Sequence, residues 1–123
     1  MLTKGKCGTA QIEVTGNSTA KAVGSGSLEV FSTPMMIAVM EQAACQCISD
    51  VLQDTQTSVG TNINVSHVAA SPVGAIVNAV ATITEIEGRK LIFSVTANDG
   101  KNEIGHGTHE RIIVDSERFL SKL

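Results

Sequence analysis

One segment limits the fold more than any other. Thr33 to about Gln53 reads as a long helix that is apolar around most of its circumference. Thr33 is a good N-cap, and Pro34 stands at the first helical position, where its missing N–H costs nothing. At about 100° per residue, Gln42, Gln46, Ser49 and Gln53 form one narrow solvent stripe, with Asp50 at its edge. A helix with so little polar surface needs cover on nearly every side. The chain after it supplies strands: Thr61–Ala70, Ala75–Ile86, Lys90–Asn98 and Glu103–Val114. They are stopped in turn by Ser71-Pro72, Glu87-Gly88 and Asp99-Gly100, which reads as a hairpin-linked antiparallel meander. Gln53 to Gly60 is polar and turn-like. A short strand, Ala10–Thr15, precedes the helix, and Ser116–Leu123 reads as a short terminal helix. The order predicts an α+β fold, a five-stranded antiparallel sheet wrapped around one long central helix.

With 123 residues the chain reads as a single domain, residues 1–123, able to bury a core without disulfides or structural metal. A net charge of −3, no Trp or Tyr and three Phe argue against nucleic-acid binding, which needs a basic field and stacking platforms. The longest apolar run, Met35 to Met40, is too short to span a membrane. No apolar segment follows the charges of the first six residues, so no secretory signal is expected. Cys45 and Cys47 point about 200° apart on a helix and cannot bridge. The three cysteines read as free buried thiols of a reducing compartment, hence a cytoplasmic protein. Ser121-Lys122-Leu123 reads as a peroxisomal address only in a eukaryote. The Gly24-Ser25-Gly26-Ser27 stretch is a loop, not a linker. Ala75–Ile86 is apolar on both faces, with Val77, Ala79, Ala81 and Ile83 on one and Ile76, Val80 and Ile86 on the other. A second protomer or a neighbouring element is expected to cover the second face.

Three residues break the pattern. Glu41 lies among Ile37, Ala44, Cys45 and Ile48, a carboxylate on an apolar face. It either pairs with a cation or is held in a partly dry cleft, as a general base requires. Its amide analogue should be easier to bury than the charge. His67 shares the inward parity of Ile63, Val65 and Ala69, so it faces the helix, where it and Glu41 could satisfy each other. Thr33 stands at a helix N-terminus, where free N–H groups and the dipole favour an oxyanion. Thr33 and Glu41 are two turns apart, about 12 Å along the axis, so they act from different ends of a groove or across a subunit interface. Gly60 offers backbone N–H near the same groove. Arg89, Lys90, Lys101 and Arg111 are scattered cations, mostly solvated, of which one or two could meet a phosphate-bearing ligand; Gly60 and Arg111 are the candidate substrate-binding residues. His106 and His109 fall on opposite faces of a strand and make a poor metal pair, so no metal is expected. No Gly-rich phosphate loop and no Gly-x-Ser-x-Gly elbow is present.

The residue strings then carry a resemblance. Val30-Phe31-Ser32-Thr33 with Met40-Glu41, Gly60-Thr61, Val65-Ser66-His67 with Ala69-Ala70, Glu87-Gly88-Arg89-Lys90-Leu91, Asn98-Asp99-Gly100 and Glu103 through Arg111 resemble the fluoroacetyl-CoA-thioesterase-like branch of the hotdog-fold thioesterases. The match runs from about residue 30 to residue 123. It implies hydrolysis of a small acyl-CoA by a Thr33/Glu41/His67 constellation, with no cofactor beyond the coenzyme A of the substrate. It also implies a homodimer whose two sheets join and whose active sites lie at the subunit boundary. The fluoroacetyl-specific relative carries bulky aromatic residues just before the Thr, where this chain has Gly24-Ser25-Gly26-Ser27-Leu28. The resemblance therefore implies the reaction class and not the fluorinated substrate. The main alternative is a non-catalytic acyl-CoA-binding hotdog module, which a released-CoA assay separates from an enzyme. A hotdog dehydratase fits less well, because the helix offers only Asp50, on the solvent side.

Overall fold

A computed structural model describes residues 1–123. The elements in chain order are β1 (Cys7–Glu13), α1 (Ala20–Val23), α2 (Thr33–Ile48), β2 (Gln56–His67), β3 (Ile76–Glu87), β4 (Lys90–Asn98), β5 (Glu103–Asp115) and α3 (Ser116–Ser121). All five strands form one antiparallel sheet in the order β1-β3-β4-β5-β2, curled around α2. The expected fold class holds.

The core is the meeting of two periodicities. Met36, Val39, Met40, Ala43, Ala44, Cys47 and Ile48 come from α2 at helical spacing. Alternate residues of β3 (Val77, Ala79, Ala81, Ile83) and β4 (Leu91, Phe93, Val95, Ala97) meet them. Gly8 lets the helix sit directly on β1, since a side chain there would collide with the backbone of Ala43 and Cys47.

Four expectations need correction. β2 and β3 are not a hairpin. β2 pairs with β5 at one edge, and residues 68–75 cross the end of the sheet to reach β3. Ser71 anchors that crossing: it is buried, its carbonyl accepts Phe31 N–H, and its hydroxyl donates to Asp99 in the β4–β5 turn at 2.9 Å. Second, α2 ends at Ile48, and the segment read as turn-like contains the first half of β2. Third, β3 is not apolar on both faces: a bulge at Thr84 resets the alternation, so Ile86 pairs with Leu91 and packs on the core. The outer face of β3 is left with Ile76 and Val80 among Asn78 and Thr82. Fourth, Cys47 is buried but Cys7 and Cys45 are exposed. No helix is long and apolar enough to cross a membrane.

Candidate active site

The inward parity of β5 runs Gly105, Gly107, His109, Arg111, Ile113, so an imidazole and a guanidinium enter the core in place of apolar side chains. Both are buried, and each is fully engaged. Arg111 donates from Nε to Ser58 Oγ at 2.8 Å, from Nη2 to Ser58 O at 3.0 Å and from Nη1 to Glu41 Oε2 at 3.1 Å. A buried guanidinium needs such partners, and the carboxylate is the one that neutralises it. Glu41 itself is 41% exposed and faces out into a cavity of about 380 Å³.

His109 completes the support. Its Nδ1–H donates to Asn62 O at 2.7 Å, so its Nε2 carries the lone pair that accepts from Arg111 Nη1 at 3.1 Å. Burial is the main cause that pushes its pKa down from 6.5, against the pull of the Asn62 carbonyl. The imidazole is therefore neutral, and its 3.8 Å approach to Glu41 is not an ion pair. Its ring also stacks on Phe93, with centroids 6.2 Å apart.

A bulge in β2 between Gly60 and Asn62 turns Gly60 inward under this carboxylate. A Cβ on Gly60 would lie 2.7 Å from Glu41 Oε2 and 3.2 Å from His109 Cε1. Only glycine leaves the carboxylate where it is.

The second group forms at the helix N-terminus. The N-cap is Ser32, not Thr33: Ser32 is buried with extended φ and ψ, and its Oγ accepts Met35 N–H. That frees the Thr33 hydroxyl, which lies 2.7 Å from His67 Nδ1 at the end of β2. Ser32 also accepts Met36 N–H, and Pro34 has no N–H, so Thr33 N–H is left as the first-turn donor without a partner. Burial lowers the His67 pKa below 6.5, and its Nε2 is buried with no hydrogen-bond partner. A cavity of about 270 Å³ opens here, between Phe31, the start of α1 with Ser25, and the Val68–Ala70 segment.

The structure thus pairs Thr33 with His67, and Glu41 with Arg111 and Gly60, but it does not bring the two groups together within one chain. The expected contact between Glu41 and His67 is absent. Arg111 is not a solvated cation but a buried one beneath Glu41. From the sequence, His109 is weighed only as a metal ligand, and Ser58 and Asn62 are not singled out. The alternation of His109, Arg111 and Ile113 was the available signal for the first. His106 is exposed and pairs with Glu103. No group of three His, Cys, Asp or Glu side chains is placed to hold a metal ion.

Residues 14–117 match the family model described as fluoroacetyl-CoA-specific thioesterase. A fluoroacetyl-CoA thioesterase from Streptantibioticus cattleyicolor is 42% identical over 95 residues, covering 77% of this chain and 68% of the relative. A solved fluoroacetyl-CoA thioesterase variant in complex with acetyl-CoA superimposes with a TM-score of 0.93 at 35% identity, covering 98% of this chain and 96% of that one. A thioesterase-superfamily protein of Thermus thermophilus shares the fold, with a TM-score of 0.90 at 24% identity, over 99% of this chain and 90% of that one.

Proposed function

The chain belongs to the fluoroacetyl-CoA-specific thioesterase family, and from that premise we propose that it hydrolyses a small acyl-CoA thioester with Thr33, Glu41 and His67 as its catalytic residues. The observation that carries the reading is Glu41, a half-exposed carboxylate fixed by a buried arginine at the mouth of a cavity. A carboxylate with one oxygen anchored and the other free can activate water, or attack the thioester carbon itself to give an anhydride that water opens. Either route adds water across the C–S bond and releases the acid and the CoA thiol. Thr33 N–H, at the positive end of α2, suits the carbonyl oxygen as charge develops on it. The Thr33 hydroxyl positions His67, whose unpartnered Nε2 relays to the departing thiolate the proton that Glu41 takes from water. Arg111 and Gly60 act through Glu41. Water and the thioester complete this chemistry, so no metal or other cofactor is needed.

The active form is a homodimer. Thr33 and Glu41 sit about 12 Å apart on one rigid helix, too far to act on one carbonyl. β2 is a twelve-residue edge strand, paired only with β5. The opposite edge, β1, is shorter, and its Thr9 N–H is already taken by Gln46 of α2. An open edge invites pairing. Antiparallel pairing of two β2 strands about a two-fold axis runs the His67 end of one toward the Gly60 end of the other. Thr33 and His67 of one protomer would then face the partner's Glu41.

The acyl pocket beside Thr33 and His67 is walled by Phe31, Ala20 and Ser25, and the neighbouring segment Gly24-Ser25-Gly26-Ser27-Leu28 carries no aromatic side chain. It suits a short acyl chain without selecting for fluorine. Three free thiols, two of them exposed, suit a reducing cytoplasm. The test is a panel of short acyl-CoAs with a thiol reagent that reports free CoA. Hydrolysis by the wild type, reduced about a hundredfold or more in Glu41→Gln, is expected. Binding without CoA release would make the protein an acyl-CoA carrier instead.

A further inference from the structure

Three stretches far apart in the sequence meet at Ser71. Residues 68–75 cross the end of the sheet, and their first part, Val68 to Ala70, walls the cavity beside Thr33 and His67. Backbone bonds tie that wall sparsely. Val68 and Ala69 N–H share the Ile104 carbonyl at 2.7 and 3.4 Å, and the next tie is Phe31 N–H on the Ser71 carbonyl at 2.9 Å. The Ser71 hydroxyl adds a side-chain tie. Ser71 is fully buried, where an unpaired hydroxyl would be costly, and its hydroxyl donates to Asp99 Oδ2 at 2.9 Å. Asp99 is a fixed acceptor. Its Oδ1 takes the N–H groups of Lys101 and Asn102 at 3.0 and 2.9 Å, and these bonds hold its carboxyl below the usual carboxylate range, so it stays charged. A hydrogen bond to a charged carboxylate is stronger than a neutral one. Both sides of Ser71 lead to the reaction site: its carbonyl holds Phe31, two residues before Thr33, and its chain follows His67 by four residues.

We infer that Ser71 and Asp99 are positioning residues for the hydrolysis, a latch that sets the wall of the acyl pocket and the placement of His67 against Thr33. The inference rests on the thioesterase reading and deepens it. Neither residue lines the cavity, so both act through their neighbours. Filling the space at position 71 would need only apolar bulk. A hydroxyl aimed at a fixed carboxylate adds direction, and direction is what a pocket wall requires. The 2.7 Å contact between the Thr33 hydroxyl and His67 Nδ1 joins the same two stretches that Ser71 joins through Phe31, so loosening Ser71 loosens both. The wall also bears on the imidazole itself. The Ala69 carbonyl favours the protonated ring against the effect of burial, so its placement sets how readily His67 holds the proton it relays. A misplacement of about 1 Å in such a group can cost about a hundredfold in rate.

The test uses Ser71→Ala, Asp99→Ala, their double variant and Asp99→Asn, assayed well below their thermal midpoints with acetyl-CoA and butyryl-CoA. Each alanine variant should lower kcat for acetyl-CoA about tenfold with KM within about threefold, and should narrow the preference between the two thioesters. The double variant should lose no more than either single one, since both remove the same bond. Asp99→Asn should recover most of the rate, because its Oδ1 keeps the two backbone N–H bonds and its amide can donate to Ser71 Oγ. Val77→Ala, a core truncation in β3 away from both cavities, controls for stability and should keep kcat and preference. Full kcat with unchanged preference in both alanine variants would overturn the proposal while leaving hydrolysis intact. Losses that Val77→Ala reproduces would make the pair a fold anchor only and also overturn it. If the wild type cleaves neither thioester, the thioesterase reading fails separately, and histidine NMR then decides the latch. In Ser71→Ala the His67 titration midpoint should move while that of His109 stays. An unmoved His67, or an equal shift in both rings, counts against the latch.

Discussion

Glu41 is held at one remove by the buried imidazole of His109. His109 fixes Arg111, and Arg111 fixes the carboxylate. A positioning role predicts a specific signature. His109→Ala should lower kcat ten- to a hundredfold with KM within about twofold, because misplacing a catalytic group costs rate rather than binding. His109→Gln should recover part of the loss, since its amide can donate to Asn62 O and still accept from Arg111. Steady-state kinetics of the two variants check this, and equal losses in both would reduce His109 to a packing residue. Gly60→Ala tests the same geometry from below. Its methyl group must displace Glu41 Oε2, the atom that pairs with Arg111, so activity should fall at least tenfold and the thermal midpoint should drop with it. One expectation reverses at this scale. An amide at position 41 seemed easier to bury than a charge, but it leaves the Arg111 guanidinium without its counter-charge. Glu41→Gln should therefore be less stable than wild type, by about 1–3 kcal/mol in denaturant titration.

The elements were legible where a periodicity runs unbroken and obscure where it slips. β4 follows one alternation from end to end, and its limits are those read from the sequence. β2 and β3 each contain a bulge, and a bulge resets the parity without leaving a mark in composition. That is why Gly60 seemed to end a loop and Ile86 to face outward. Strand order was equally hidden. Ser71-Pro72 looks like a hairpin stop, but its role as a crossing is set by a buried bond to Asp99, 28 residues away. Thr33, Glu41 and His67 stood out because each breaks an apolar pattern. His109 did not, since its significance lies in a contact with Arg111 that only the folded sheet creates. The edge of β2 carries a further prediction. Ile63 is 37% exposed at that open edge and would be covered in a dimer. Ile63→Lys should shift sedimentation from a dimer of two 12.8 kDa chains to a monomer and remove most hydrolysis with it.

At the scale of the whole molecule, one buried and one half-buried imidazole shape the response to acid. His67 and His109 both have pKa values below 6.5, chiefly because burial disfavours the charged form. Below about pH 6.5 the unfolded chain binds protons that the folded chain refuses, so stability declines as pH falls from that point toward the folded pKa values. Urea midpoints should therefore fall between pH 7 and pH 5, and His109→Gln should flatten part of the slope. The central claim, however, concerns how a rigid helix uses two groups that it holds apart. Mixing two inactive variants decides it. Glu41→Gln keeps Thr33 and His67, and His67→Ala keeps Glu41. Unfolding the two together in equal amounts and refolding them allows random pairing. If the site is shared, each mixed dimer has one complete site, and hydrolysis should return to about a quarter of wild type. If the mixture stays as inactive as its parents while mixed dimers are demonstrably present, each chain works alone and the shared site is contradicted.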